Sequence, residues 1–96
     1  MNTQIDIENK LKELKPKLNK EYNVERIGYF GSYSRNEQNK DSDIDILVYF
    51  RKPLGWEFFD LKELLEKELE LKVDLISEKA LKEQLRQIIL NSVKYI

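Results

Sequence analysis

The chain of 96 residues contains no cysteine and no histidine. The first absence excludes a disulfide framework and any thiolate metal site. The second removes the commonest general base, the commonest metal ligand and the usual pH switch. Catalysis by this chain must draw on carboxylates, Lys, Tyr, Ser or a metal held by oxygen. Glycine and proline are scarce, with three and two residues; Gly31 reads as a strand stop, Pro53 and Gly55 as a turn and Pro16 as a break. No run approaches the ~20 apolar residues of a membrane span. The opening "MNTQIDIENK" lacks the basic-then-apolar layout of a signal peptide. Neither sign of charge dominates: 17 basic residues stand against 18 acidic ones. A protein that coats nucleic acid is normally basic, so no direct nucleic-acid binding is expected. These absences predict a soluble, cytoplasmic protein with no membrane association. The length predicts one domain over residues 1–96, and a hydrophobic content of 41% is enough for one small core.

Periodicity supplies the elements. Thr3 followed by Asp6 resembles a capping box with Asp in the place of Glu or Gln. Ile7, Leu11, Leu14 and Leu18 then recur on one helical face. Pro16 should kink this helix or begin a second one, and Asn23 ends it. "VERIGYF" reads as a strand stopped by Gly31, and a short helical turn is expected near Ser32. In "DIDILVYF", Ile44, Ile46, Val48 and Phe50 face one way, with Asp43, Asp45, Leu47 and Tyr49 opposite. "WEFFDLKELLEKEL" carries a helical stripe of Phe58, Leu61, Leu64, Leu65 and Leu69. "LKVDLIS" is a third strand, and Ser77 is the expected N-cap of a last helix with Leu81, Leu85, Ile88, Ile89 and Val93 on its apolar face. The order predicts an α+β two-layer domain: a small mixed three-stranded sheet with helices packed on one side.

Two carboxylates stand at the edge of an apolar strand. Asp43 and Asp45, two apart, project from the same side. Burying them unpaired is costly, and the usual outcomes are a shifted pKa or a bound cation. A hard divalent ion such as Mg²⁺ suits two carboxylates on a rigid strand, with waters and substrate phosphates completing its shell. Asp74 is a third carboxylate, in mid-strand, where Asp is depleted. If the third strand lies beside the second, Asp74 joins the pair and three acids form a site for metal-assisted phosphoryl or nucleotidyl transfer. Gly31 and Ser32 add an anion site: the glycine lets a ligand approach the backbone, and a helical turn at Ser32 would offer free N–H groups to phosphate.

Together these pieces read Gly-Ser, ten residues, Asp-x-Asp. The stretch resembles the signature of the DNA polymerase beta-type nucleotidyltransferase superfamily, and in particular its minimal nucleotidyltransferase (MNT) branch of small chains. The resemblance runs through "IGYFGSYSR", "SDIDILVYF", "GWEFFDL", "KVDLIS" and the final helix. Ser34 and Asn36 stand where the commonest form has Ala and Gly. The resemblance implies that Asp43 and Asp45 hold Mg²⁺ ions bridging a triphosphate. It implies that Asp74 completes the second metal site and orients or deprotonates the acceptor hydroxyl, with Gly31 and Ser32 binding the triphosphate. Mn²⁺ would serve the same oxygen ligands. The implied reaction moves AMP from ATP onto a hydroxyl with release of pyrophosphate. Arg35 either contacts phosphate or pairs with an acid such as Glu37, and Lys40 either attracts nucleotide or is a solvated loop lysine.

Minimal members are often encoded with a HEPN-type ribonuclease toxin. The resemblance therefore implies an antitoxin that adenylylates a tyrosine of that toxin and binds it, as a heteromer or a homodimer. Trp56, Phe58 and Phe59 cannot all point to one helix face, so some of them suit an interface. Two other readings stay open: transfer to a small molecule such as an aminoglycoside-type acceptor, and a masking antitoxin without catalysis.

Overall fold

A computed structural model describes residues 3–39 and 41–96. The elements follow the order α1 (Gln4–Tyr22), β1 (Val24–Phe30), β2 (Ile44–Phe50), α2 (Glu57–Leu69), β3 (Val73–Ser77), a short 3-10 turn (Glu78–Ala80), α3 (Glu83–Ser92) and β4 (Lys94–Tyr95).

The start of α1 is set by Thr3, whose hydroxyl accepts from the Asp6 N–H at 3.1 Å. Its end is set by Asn23 in the left-handed region (φ 57°), with its N–H returned to Leu18 O. The expected stripe of Ile7, Leu11, Leu14 and Leu18 is buried, and each such side chain contributes roughly 1.5–3 kcal/mol. Pro16 begins no second helix; α1 runs unbroken through it. Pro16 and Lys12, the residue four before it, are both exposed, so the carbonyl that loses its partner can turn to water.

The sheet has the order β3-β2-β1-β4. A hairpin-like excursion makes β1 and β2 antiparallel, and the α2 crossover makes β2 and β3 parallel. Ile44, Ile46 and Val48 point to α1 and α2 and join their leucines in one core cluster. The Tyr29 hydroxyl, in the same cluster, donates to the Glu8 carboxylate and ties β1 to α1. Burial, and then the Glu8 hydrogen bond and charge, push the Tyr29 phenol up.

The mixed α+β layer architecture is the expected one, with three corrections. The sheet has four strands: Lys94–Tyr95 pairs with β1 opposite Gly28 and Tyr29. Gly28 makes this possible, since a Cβ there would lie 2.7 Å from Lys94 O. The Ile96 N–H to Ile27 O bond (2.9 Å) and the 2.8 Å bond between the Tyr49 and Tyr95 hydroxyls complete the attachment. Second, Ser77 heads the 3-10 turn without a side-chain cap, and α3 starts after Lys82. Third, the apolar stripe of α3 is not part of the core: no α3 residue is buried, and Leu85 and Ile88 are 50% and 66% exposed. No helix of the described residues is long and apolar enough to cross a membrane.

Candidate active site

β1 delivers the chain to Gly31 at φ 74°, a left-handed conformation that glycine adopts without the Cβ penalty. A single helical turn follows. Ser34 N–H and Arg35 N–H return to Gly31 O at 3.1 and 3.3 Å, and Glu37 N–H returns to Ser32 O at 2.9 Å. Among the described residues the N–H groups of Ser32 and Tyr33 have no carbonyl partner. A left-handed residue followed by free N–H donors has the make-up of a nest, a shape that can take an anion.

The two positions that depart from the common pattern have structural reasons. Asn36 lies at φ 56°, where Gly is free of strain and Asn is the next best residue. Ser34 is buried, and its hydroxyl donates to Gly31 O at 2.8 Å. A small side chain is required there, and the serine adds a bond that closes the turn. From α1, Gln4 Nε2 donates to Tyr33 O (2.8 Å) and Ser34 O (3.2 Å).

Tyr33 is buried, and among the described residues its hydroxyl has no hydrogen-bond partner. Burial pushes this phenol up. An orphaned buried hydroxyl costs on the order of 1–3 kcal/mol. Tyr33→Phe is therefore expected to melt at or above the parent temperature; a drop of several degrees in a thermal scan would refute the assignment.

The acids approach the turn from the sheet. Asp45 is the register partner of Phe30 on β1 and of Asp74 on β3. The two halves of the motif thus meet: a Cβ built on Gly31 would fall 2.2 Å from Asp45 Oδ2. Asp45 is half-buried, while Asp43, just before β2, and Asp74 are exposed. Burial raises the Asp45 carboxyl to about 6, helped by the Asp74 charge, a side-chain hydrogen bond with Asp74 and the Asp43 charge, and opposed by Arg35. The structure therefore brings Asp45, Asp74 and Gly31 into contact range, with Asp43 at the strand entrance. Among the described residues no group of three carboxylates is arranged as a ready metal cage.

Arg35 takes the Glu37 option: Nε lies 2.7 Å from Glu37 Oε1 in an exposed pair, of a kind worth little to stability. Lys40 lies outside the described residues. Beside Asp43 opens a hollow of about 420 Å³ lined by Asp41, Ser42, Asp43, Glu70, Leu71 and Lys72. Lys72 and Glu70 were not singled out from the sequence, because only the β2–β3 pairing brings their segment to Asp43. Asp43, Asp45 and Asp74 offer hard oxygen donors at the starts of two neighbouring strands, the chemistry that suits Mg²⁺ or Mn²⁺. The Asp45 carboxyl, raised by burial and by the neighbouring Asp74 charge, is the group a cation would relieve.

Comparison with known proteins identifies the family. The family model for the nucleotidyltransferase domain matches residues 11–96. The protein adenylyltransferase MntA of Thermococcus cleftensis is 41% identical, over 100% of this chain and 98% of the relative. A crystal structure of a toxin–antitoxin with AMP-PNP superposes with a TM-score of 0.70 at 28% identity, over 99% of this chain and 72% of the other. A Shewanella oneidensis complex of tri-AMPylated HEPN toxin with MNT antitoxin superposes at 0.67 and 26% identity, over 99% and 71%. The chain belongs to the nucleotidyltransferase domain family, in its minimal MNT branch, and is a nucleotidyltransferase.

Proposed function

We propose that this chain, as a single minimal domain over residues 1–96, transfers AMP from ATP to a tyrosine of a HEPN-type ribonuclease toxin and so acts as its antitoxin. The observation that carries the reading is the meeting of the Gly31 turn with the Asp45–Asp74 pair. The turn offers the Ser32 and Tyr33 N–H groups and the Ser32 hydroxyl to the triphosphate. Arg35, exposed at the turn, can leave Glu37 for a phosphate at little cost. Asp43, Asp45 and Asp74 would hold Mg²⁺ or Mn²⁺, which neutralises charge on the phosphates and on the attacking and leaving oxygens. Asp74, on the edge strand and exposed, faces incoming acceptor and orients its hydroxyl or takes its proton. A toxin that only needed masking would give no reason to hold Asp45 against Asp74.

The partner is expected to bind in part through Trp56 and Phe59, which are 84% and 58% exposed with ring centroids 6.1 Å apart. Phe58, between them, instead packs against the core beside Phe50. Trp56→Ser with Phe59→Ser should leave the melting temperature nearly unchanged, because neither side chain is buried. The same pair should weaken toxin binding by about thirtyfold or more, the effect of losing an aromatic hot spot. Calorimetric titration of the toxin checks this; unchanged affinity would place the interface elsewhere. The transfer reaction is tested with α-phosphate-labelled ATP, Mg²⁺ and the HEPN-type protein encoded beside this chain. Label on a toxin tyrosine is the expected result. Tight binding and silencing without label would leave a masking antitoxin.

A further inference from the structure

We infer that Gln4 is a positioning residue for the nucleotide: a side chain on the first turn of α1 that holds the Gly31–Glu37 turn in its phosphate-ready shape. The inference rests on the reading of that turn as the triphosphate site. Peptide units are planar, so a carbonyl fixed on one side aims its N–H to the other. Gly31 O is held by Ser34 N–H, Arg35 N–H and the Ser34 hydroxyl, which aims the Ser32 N–H outward. Ser32 O is held by Glu37 N–H, which aims the Tyr33 N–H outward. The next two carbonyls are less well held from within. Tyr33 O receives only the longer 3.3 Å bond from Asn36 N–H, and Ser34 O receives none from the turn's backbone. Gln4 Nε2 supplies both, at 2.8 and 3.2 Å, from 29 and 30 residues away.

This is a tie between layers. Without it the turn is fastened to the rest of the protein by its two ends and by the buried Tyr33 ring, whose hydroxyl has no partner among the described residues. A primary amide suits the task, because its two N–H donors diverge and can reach adjacent carbonyls. Gln4 is half-buried, so its bonds are only partly open to competition from water. Gln4 touches no reacting atom; it acts through the turn.

The test is calorimetric binding of Mg-ATP to the full chain, with transfer kinetics on the toxin and a thermal scan of each variant. Gln4→Met keeps the length and removes both donors. It should weaken Mg-ATP binding about tenfold, as two lost hydrogen bonds would, and raise the KM for ATP while kcat changes little. Thr3→Ala is the control: it removes the α1 cap and lowers stability, but leaves Mg-ATP affinity unchanged. Gln4→Met binding Mg-ATP as tightly as the parent overturns the role of Gln4 alone. An equal loss of affinity in Thr3→Ala also overturns it, because the effect would then be helix fraying. A parent that binds no Mg-ATP removes the nucleotide reading itself, and this inference with it.

Discussion

Asp45→Asn is expected to melt higher than the parent at about pH 7.5 without divalent metal, since the parent charge is held against burial and two other acids, and to lose adenylyl transfer. The sign follows from the raised carboxyl. Asp45 binds its proton more tightly in the folded state, with a pKa of about 6 against 3.8. The stability this proton confers is full below the ordinary value and is lost as pH rises through about 6. Above that range the folded parent carries a charge held against burial, Asp74 and Asp43. Asparagine keeps the shape and drops the charge. After allowance for partial exposure the gain is about 1 kcal/mol, or roughly 4–8 °C in a domain of this size. At about pH 4 the parent is itself protonated, and the gap should close. Mg²⁺ should raise the melting temperature of the parent and leave the variant nearly unmoved. Transfer should fall on the order of a thousandfold, the several kcal/mol that a metal-bound oxygen contributes to such a transition state. A variant with parental activity would remove Asp45 from the metal set.

Gly31→Ala should be the most damaging single methyl in the chain. Two causes act together. The backbone sits at φ 74°, where any other residue is strained by roughly 1–2 kcal/mol. The new methyl would also stand 2.2 Å from Asp45 Oδ2, far inside contact distance. Either the turn or the acid must move. A displacement of about 1 Å costs on the order of a hundredfold in rate. The expected result is a lower melting temperature together with at least that loss of transfer. Normal activity in Gly31→Ala would mean that the turn and the acid do not work as one site.

These two residues also show why the candidate site is legible in the sequence. A carboxylate at the edge of an apolar strand and a glycine at a strand end are local oddities, and local oddities can be read along a chain. The stripe of α1, its Thr3 cap and its Asn23 end were legible for the same reason. What the residues could not declare was pairing. β4 is two residues long and has no strand signal of its own; it exists because Gly28, more than sixty residues earlier, leaves room for Lys94 and Tyr95. Asp74 meets Asp45 only through the parallel register, and Lys72 reaches the hollow beside Asp43 by the same register. The α3 stripe has core-like spacing, yet Leu85 and Ile88 remain at the surface, because amphipathic periodicity says which face is apolar and not what covers it. Ser77 departs from its expected place for a related reason: a good capping residue marks a helix start, and the 3-10 turn takes it first.

The Gly31 turn and the acids at the starts of β2 and β3 act as one metal–nucleotide site in the function proposed above. A crystal grown with Mn²⁺ and a non-hydrolysable ATP analogue tests it most directly, because manganese can be located by its anomalous scattering. The account predicts manganese on the carboxylates of Asp43 and Asp45, with the triphosphate running to the Ser32 and Tyr33 N–H groups and the α-phosphate facing Asp74. Nucleotide bound away from the turn, or manganese absent from the acids with nucleotide present, would contradict it.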